Sequence, residues 1–191
     1  MNANPMRPAI GLLLLMTILC GLVYPLAVTG IAGLLFPAQA AGSLVYAGGK
    51  PIGSRLIGQN FAAPKYFWGR PSATTPRPYD ATASTGSNLG PLNPALIERI
   101  RDSARSLQQA DPGNREPIPV DLVTSSASGL DPDISLAAAL YQVPRVARAR
   151  GLPAEEVRQL VRAHGRGRAL GFLGEPRVNV LELNLALDGQ H

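Results

Sequence analysis

The sequence predicts an α+β protein in which one N-terminal transmembrane helix is followed by a single mixed α+β soluble domain. Three observations lead there. Residues 9–36 contain no charged side chain and are dense in leucine, isoleucine and valine. Beyond residue 42 the chain becomes Gly- and Pro-punctuated, with strand-compatible runs first and capped helical patterns later. The length of 191 residues suits an anchor plus one domain of ordinary size and leaves no room for two large ones.

Residues 1–8 read as a short tail and 9–36 as the span. As a helix this run reaches roughly 42 Å at about 1.5 Å per residue, beyond the roughly 30 Å that a hydrocarbon core requires. Pro25 is tolerable in a membrane helix when neighbouring groups satisfy the freed carbonyl. Gly11, Gly21, Gly30 and Gly33 are small positions where a second helix can approach. Ala38-Gln39-Ala40 also resembles a signal-peptide cleavage site, but a signal h-region covers only about 7 to 15 residues, so an uncleaved anchor is expected. Arg7 and the terminal amine roughly balance Lys50 and Arg55 across the span, so charge alone does not set the orientation.

Residues 37–42 form the linker and 43–191 the soluble domain. Residues 43–46 and 55–59 are strand-compatible and interrupted by Gly48, Gly49 and Gly53, which suggests a hairpin or two edge strands. Residues 70–90 are rich in Pro, Ser, Thr, Gly and Asn and read as a long ordered loop. Ser72, in that polar loop, suggests itself as a labelling position. Asn93-Pro94 opens a helix with Leu96, Ile97, Ile100, Ala104 and Leu107 on one side, and Asp111-Pro112-Gly113 stops it. Asp131-Pro132 repeats the cap-plus-proline start, and Pro144 begins a further segment that ends at Gly151. Pro153, Glu155 and Glu156 open a helix that Gly165 closes. Leu181, Leu183, Leu185 and Leu187 recur with period two, which suggests a half-buried strand; a short amphipathic helix over 178–187 is the alternative.

Charge and composition exclude several functions. The formal net charge is +5, but the basic residues are sixteen arginines and only Lys50 and Lys65, scattered along the chain. A nucleic-acid stripe needs clustered charge, so no nucleic-acid partner is expected. Cys20 is the single cysteine and sits in the apolar run, leaving no internal disulfide and no cysteine-based metal site. His164 and His191 are not at metal-ligand spacing, so no metal is expected.

Gly53-Ser54-Arg55-Leu56-Ile57-Gly58-Gln59-Asn60-Phe61, Tyr66-Phe67, Gly69-Arg70-Pro71-Ser72-Ala73 and Gly86-Ser87-Asn88-Leu89 resemble the front half of the C subunit of bacterial Kdp-type potassium-transporting P-type ATPases. The segments 120–132, Ile134-Ser135, 141–147 and 174–184 resemble that family's central and later blocks, in order and over nearly the whole chain. The resemblance implies a non-catalytic subunit of a high-affinity, ATP-driven potassium uptake complex in the bacterial inner membrane. Its partners would be an ATP-hydrolysing P-type subunit, a potassium-translocating channel-like subunit, a small accessory membrane subunit and membrane lipid. The N-terminus would be cytoplasmic and the domain periplasmic. The chain contains neither the Asp-Lys-Thr-Gly phosphorylation motif of P-type pumps nor a Walker-type loop.

Two roles for the domain then compete. As a catalytic chaperone raising ATP affinity, it would use Ser125, Ser126, Ser128 and Gly129 as a nucleotide contact, because small hydroxyl residues and Gly before a helix can offer N–H groups to phosphate. ATP would then be met through the complex, with no tightly bound cofactor. The simpler reading has Asp131 capping a helix and the serines forming its preceding turn. The second role is a cap beside the potassium entrance, but residues 42–191 carry a formal +4, a sign that opposes a cation funnel. Phe61, Tyr66, Phe67 and Trp68 read as core or subunit interface. A distant alternative, an anchored exported hydrolase, would pair a serine among 125–128 with His164, although no Gly-x-Ser-x-Gly elbow is present.

Overall fold

The computed structural model describes residues 5–189. Residues 1–4 of the expected tail, and His191, lie outside the described residues. The chain divides into two compact units, residues 1–44 and 45–191.

In the first unit the apolar run is one helix, Met6–Leu35, long and apolar enough to cross a membrane. It comprises α1 (Met6–Ile18), a π-helical turn over Leu19–Val23, and α2 (Tyr24–Leu35). Pro25 explains the middle turn: it lacks an N–H and its ring would press on the carbonyl four residues back. Widening by one residue lets the Tyr24 N–H reach the Leu19 carbonyl instead. Thr17 Oγ1 donates to Leu13 O (2.8 Å), so its hydroxyl is satisfied inside the helix. The linker contains a further helical turn, α3 (Pro37–Ala40).

A hairpin of β1 (Leu44–Ala47) and β2 (Lys50–Ser54) follows. The second strand therefore precedes the expected 55–59. Gly48 and Gly49, at φ 55° and 76°, make a two-residue turn with both positions left-handed, so pairing resumes at once at Lys50. Residues 55–59 instead turn back on the hairpin, and Gln59 Nε2 donates to Ile52 O (2.7 Å).

After the long loop, α4 (Pro94–Ala110) begins at Asn93, whose Oδ1 accepts from the Ala95 N–H (2.9 Å), and ends at Asp111 as the sequence suggests. A three-stranded antiparallel sheet in the order β3–β5–β4 joins Asp133–Ser135, Arg177–Asn179 and Gly165–Arg166, with Ile134 opposite Val178. α5 (Leu136–Arg150) and α7 (Val180–Leu187) lie against it, and α6 (Ala154–Ala163) packs on α5 and α7. Ile134, Ala138, Val143, Val146, Val157, Val161, Val178 and Leu183 form the dry centre of the core.

Three expectations change here. Asp131 does not cap a helix. The cap of α5 is Ser135, whose Oγ accepts from the Ala138 N–H (3.0 Å) and whose own N–H donates to Asp121 Oδ2 (2.7 Å). Pro144 lies inside α5 and starts nothing new. An interior proline costs about 3 kcal/mol in a helix, but burial of Val143, Val146 and their neighbours on both sides outweighs it. Residues 180–187 are helical, with only Arg177–Asn179 extended. Asn179 Oδ1 accepts from the Glu182 N–H (3.1 Å), and the buried residues Val180, Leu181, Leu183 and Asn184 follow helical spacing.

Asp188, just past α7, accepts from Arg150 Nη2 (2.7 Å) and the Tyr66 hydroxyl (2.8 Å). Burial pushes its carboxyl up, but those two hydrogen bonds and the nearby Arg150 and Lys65 charges together hold it below its ordinary 3.8. A carboxylate depressed in the folded state contributes stability that is present above its unfolded value and lost as pH falls through the folded value. Asp188→Asn should therefore lose about 1 kcal/mol at pH 7. Denaturant unfolding of the detergent-solubilised chain should show that deficit shrinking toward zero below pH 4.

Candidate functional site

Residues 61–68 run over the edge of the core without forming a helix or strand, exposed at 62–65 and buried at Phe67, so the covered backbone groups need partners from elsewhere. Asn184 Oδ1 accepts from the Phe67 N–H (2.8 Å) and its Nδ2 donates to Phe67 O (3.0 Å). Gln142 does the same for Trp68, at 2.8 and 3.1 Å. Arg145 Nη1 donates to Pro64 O (2.5 Å) and Tyr66 O (3.0 Å), while Nη2 donates to Gln142 Oε1 (2.6 Å). Its guanidinium also lies 4.1 Å from the Trp68 ring centroid. Loss of solvation holds its pKa down to about 10, with Asp111 pulling the other way, so Arg145 is still a cation at neutral pH. α5 and α7 thus present three polar side chains that fix the aromatic segment: Phe67 is fully buried, and Phe61 packs on Tyr66 at 5.3 Å.

The second cluster is the serine-rich turn at 124–131. Arg70 clamps it, through Nη1 to Asp131 Oδ2 (3.0 Å), Nη2 to Ser125 O (3.3 Å) and Nε to Thr124 O (3.4 Å). Inside the turn the Gly129 N–H donates to Ser126 Oγ (3.0 Å) and the Leu130 N–H to Ser128 Oγ (3.1 Å). The long loop closes over it. Ser72 Oγ donates to Gly129 O (2.7 Å) and accepts from the Tyr79 N–H (2.9 Å), and the Thr85 N–H donates to Ser128 O (3.0 Å). Ser72 is thus a hub of the loop and unsuited to labelling. Tyr79 donates to Arg70 O (2.5 Å), and its hydroxyl is pushed up to about 12 by burial first and then by Asp131, against the Arg70 charge.

Of the four residues singled out in the sequence, Ser126 and Ser128 share one open cleft of about 540 Å³ with Arg70 and Asp131. Ser125 lines a different cleft, against Leu96 and Arg99 of α4. Gly129 is buried. His164 Nδ1 lies 3.0 Å from Leu160 O, within its own helix, and no hydrogen bond joins it to a serine among the described residues. Among the described residues, no group of three or more His, Cys, Asp or Glu is placed to hold a metal.

The family model described as K+-transporting ATPase, c chain, matches residues 6–189. The chain belongs to the KdpC family. It is 65% identical over 185 residues to the Potassium-transporting ATPase KdpC subunit of Variovorax paradoxus, covering 97% of this chain and 96% of that one. The corresponding subunit of Polaromonas naphthalenivorans is 64% identical, covering 97% and 94%.

The residues that carry the KdpC resemblance meet in space. Gln142 and Arg145 from the block at 141–147, and Asn179 and Asn184 from the block at 174–184, are at most 3% exposed. Asn179 Nδ2 donates to Arg55 O (2.9 Å), tying the last block to the first. Sequence reasoning missed these four, although polar residues embedded in apolar helical patterns are the signal that a buried hydrogen-bonded brace leaves.

Proposed function

We propose that this chain is the non-catalytic subunit of an ATP-driven potassium uptake complex, stabilising the assembly and tuning the pump. The observation that carries this reading is the unbroken family match over residues 6–189, which includes both the apolar helix and the domain. The partners are the ATP-hydrolysing P-type subunit, the channel-like potassium subunit, a small accessory membrane subunit and lipid. ATP hydrolysis belongs to the P-type subunit. The N-terminus is cytoplasmic and the domain lies on the outer face of the inner membrane.

The dense hydrogen bonding of the serine turn favours a structural role for it. The Gly129 and Leu130 N–H groups, which a phosphate would need, already donate to Ser126 and Ser128. A chaperone that contacts ATP is the second reading. The open cleft lined by Ser126 and Ser128 favours it: their Oγ atoms lie 3.4 Å apart and share one proton between them, which leaves the other hydroxyl proton to donate, with Ser125 and Gly129 as neighbours.

Sidedness separates the two readings. Leu92, 90% exposed, is the reporter position, and Cys20 lies within the span. Leu92→Cys should react with a membrane-impermeant thiol reagent in intact spheroplasts. Reaction only after lysis, with the complex intact, would put the domain on the ATP side and overturn the assignment.

A further inference from the structure

Between β4 and β5 the chain projects a tight finger. Ala169 and Leu173 exchange reciprocal backbone hydrogen bonds of 2.8 and 2.9 Å, and the Phe172 N–H donates to Ala169 O (3.3 Å). The turn so closed displays large apolar side chains: Leu170 is 83% exposed, Phe172 68% and Leu173 51%. Leu170 sits at φ 53°, a left-handed conformation that residues with a β-carbon avoid, next to Gly171 at φ 83°. Strain that holds a leucine outward indicates a use for that leucine in its surroundings.

Below the tip runs a collar of charge. Arg168 Nη2 meets both carboxylate oxygens of Glu175 (3.0 and 2.9 Å), and Arg166 Nη2 meets Glu182 Oε2 (2.7 Å). Arg166 and Arg168 are half-exposed, so these pairs contribute little to folding and can be exchanged for other anions. A guanidinium takes a phosphate in the same bidentate manner as a carboxylate.

We infer that residues 170–173 are a second membrane contact, inserting Leu170, Phe172 and Leu173 at the boundary between headgroups and acyl chains, with Arg166 and Arg168 at the level of the lipid phosphates. The same chain favours this occupant. The Met6–Leu35 helix is long and apolar enough to cross a bilayer and is joined to the domain by a few residues, so the domain stays at a lipid surface. Tethering raises the effective concentration of that surface, which lets so small an apolar tip engage it. Three side chains on a convex turn bury too little for a stable protein interface, whereas aromatic and aliphatic tips beside arginines suit the bilayer boundary. The inference holds for either side of the membrane.

The test uses the full chain in nanodiscs of phosphatidylcholine and phosphatidylglycerol. Tryptophan is introduced as Phe172→Trp, with Leu173→Trp as a second reporter and Leu92→Trp as an exposed control. Replacement of the acyl chains by brominated ones should quench the added emission at 172 or 173 about twofold and leave that at 92 unchanged. Emission at both tip positions that stays red and unquenched in correctly folded chains would overturn the inference and leave the tip to a protein surface.

Discussion

Arg145→Ala should destabilise the domain by about 3 to 5 kcal/mol, enough to prevent accumulation of a chain of ordinary stability. The side chain is 3% exposed and holds the Pro64 and Tyr66 carbonyls, the Gln142 amide and the Trp68 ring face at once. Truncation leaves buried acceptors without donors, which costs about 1 to 3 kcal/mol for each group that water cannot reach. Arg145→Lys should recover only a small part of that loss, because an ammonium lacks the planar fork that reaches carbonyls on both sides. The measurement is denaturant unfolding of the detergent-solubilised full chain followed by Trp68 emission. A midpoint within experimental error of wild type for Arg145→Ala would show that Arg145 does not brace the segment.

Gly129→Ala should cost about 2 to 4 kcal/mol, while Gly90→Ala in the same loop region should cost under about 0.5. Gly129 has φ 68°, and a β-carbon there would stand 2.6 Å from Thr85 O and 2.9 Å from Thr74 Cγ2. One of those neighbours is backbone, so relief requires the long loop to lift off the serine turn. At Gly90 a β-carbon meets nothing within 4 Å. The same unfolding experiment gives both values, and equal midpoints for the two variants would show that the loop does not close over the turn as described.

The elements that could be read from sequence are those whose signal is local. The apolar run, Asn93 before Pro94, and the Pro153, Glu155 and Glu156 start of α6 each declare themselves within a few residues. The Gly48-Gly49 turn was visible but its register was not, because the turn geometry sets the pairing and the strand-like composition of 55–59 competes with it. At 181–187 the alternating leucines matched a strand by period, yet Asn179 three residues before Glu182 is a helix-start pattern that the structure obeys. Pro144 misled for the opposite reason, since tertiary burial overrode a strong local breaker. The serine turn was legible as a turn, but Arg70 as its clamp was not, since the two are more than fifty residues apart and nothing local joins them. For Gln142, Arg145 and Asn184 the apolar surroundings were legible, but their partners at 64–68 were not, for the same reason.

The chain belongs to a family of potassium-transporting ATPase subunits, and the proposed role requires that it work within such an assembly. Purification of the tagged, full-length chain from its native membranes in mild detergent, followed by mass spectrometry, decides whether it does. The P-type and channel-like subunits should co-purify in fixed stoichiometry with the chain, and potassium-stimulated ATPase activity should travel with that assembly. Elution of the folded chain alone, with an intact and fully active pump recovered without it, would rule that role out.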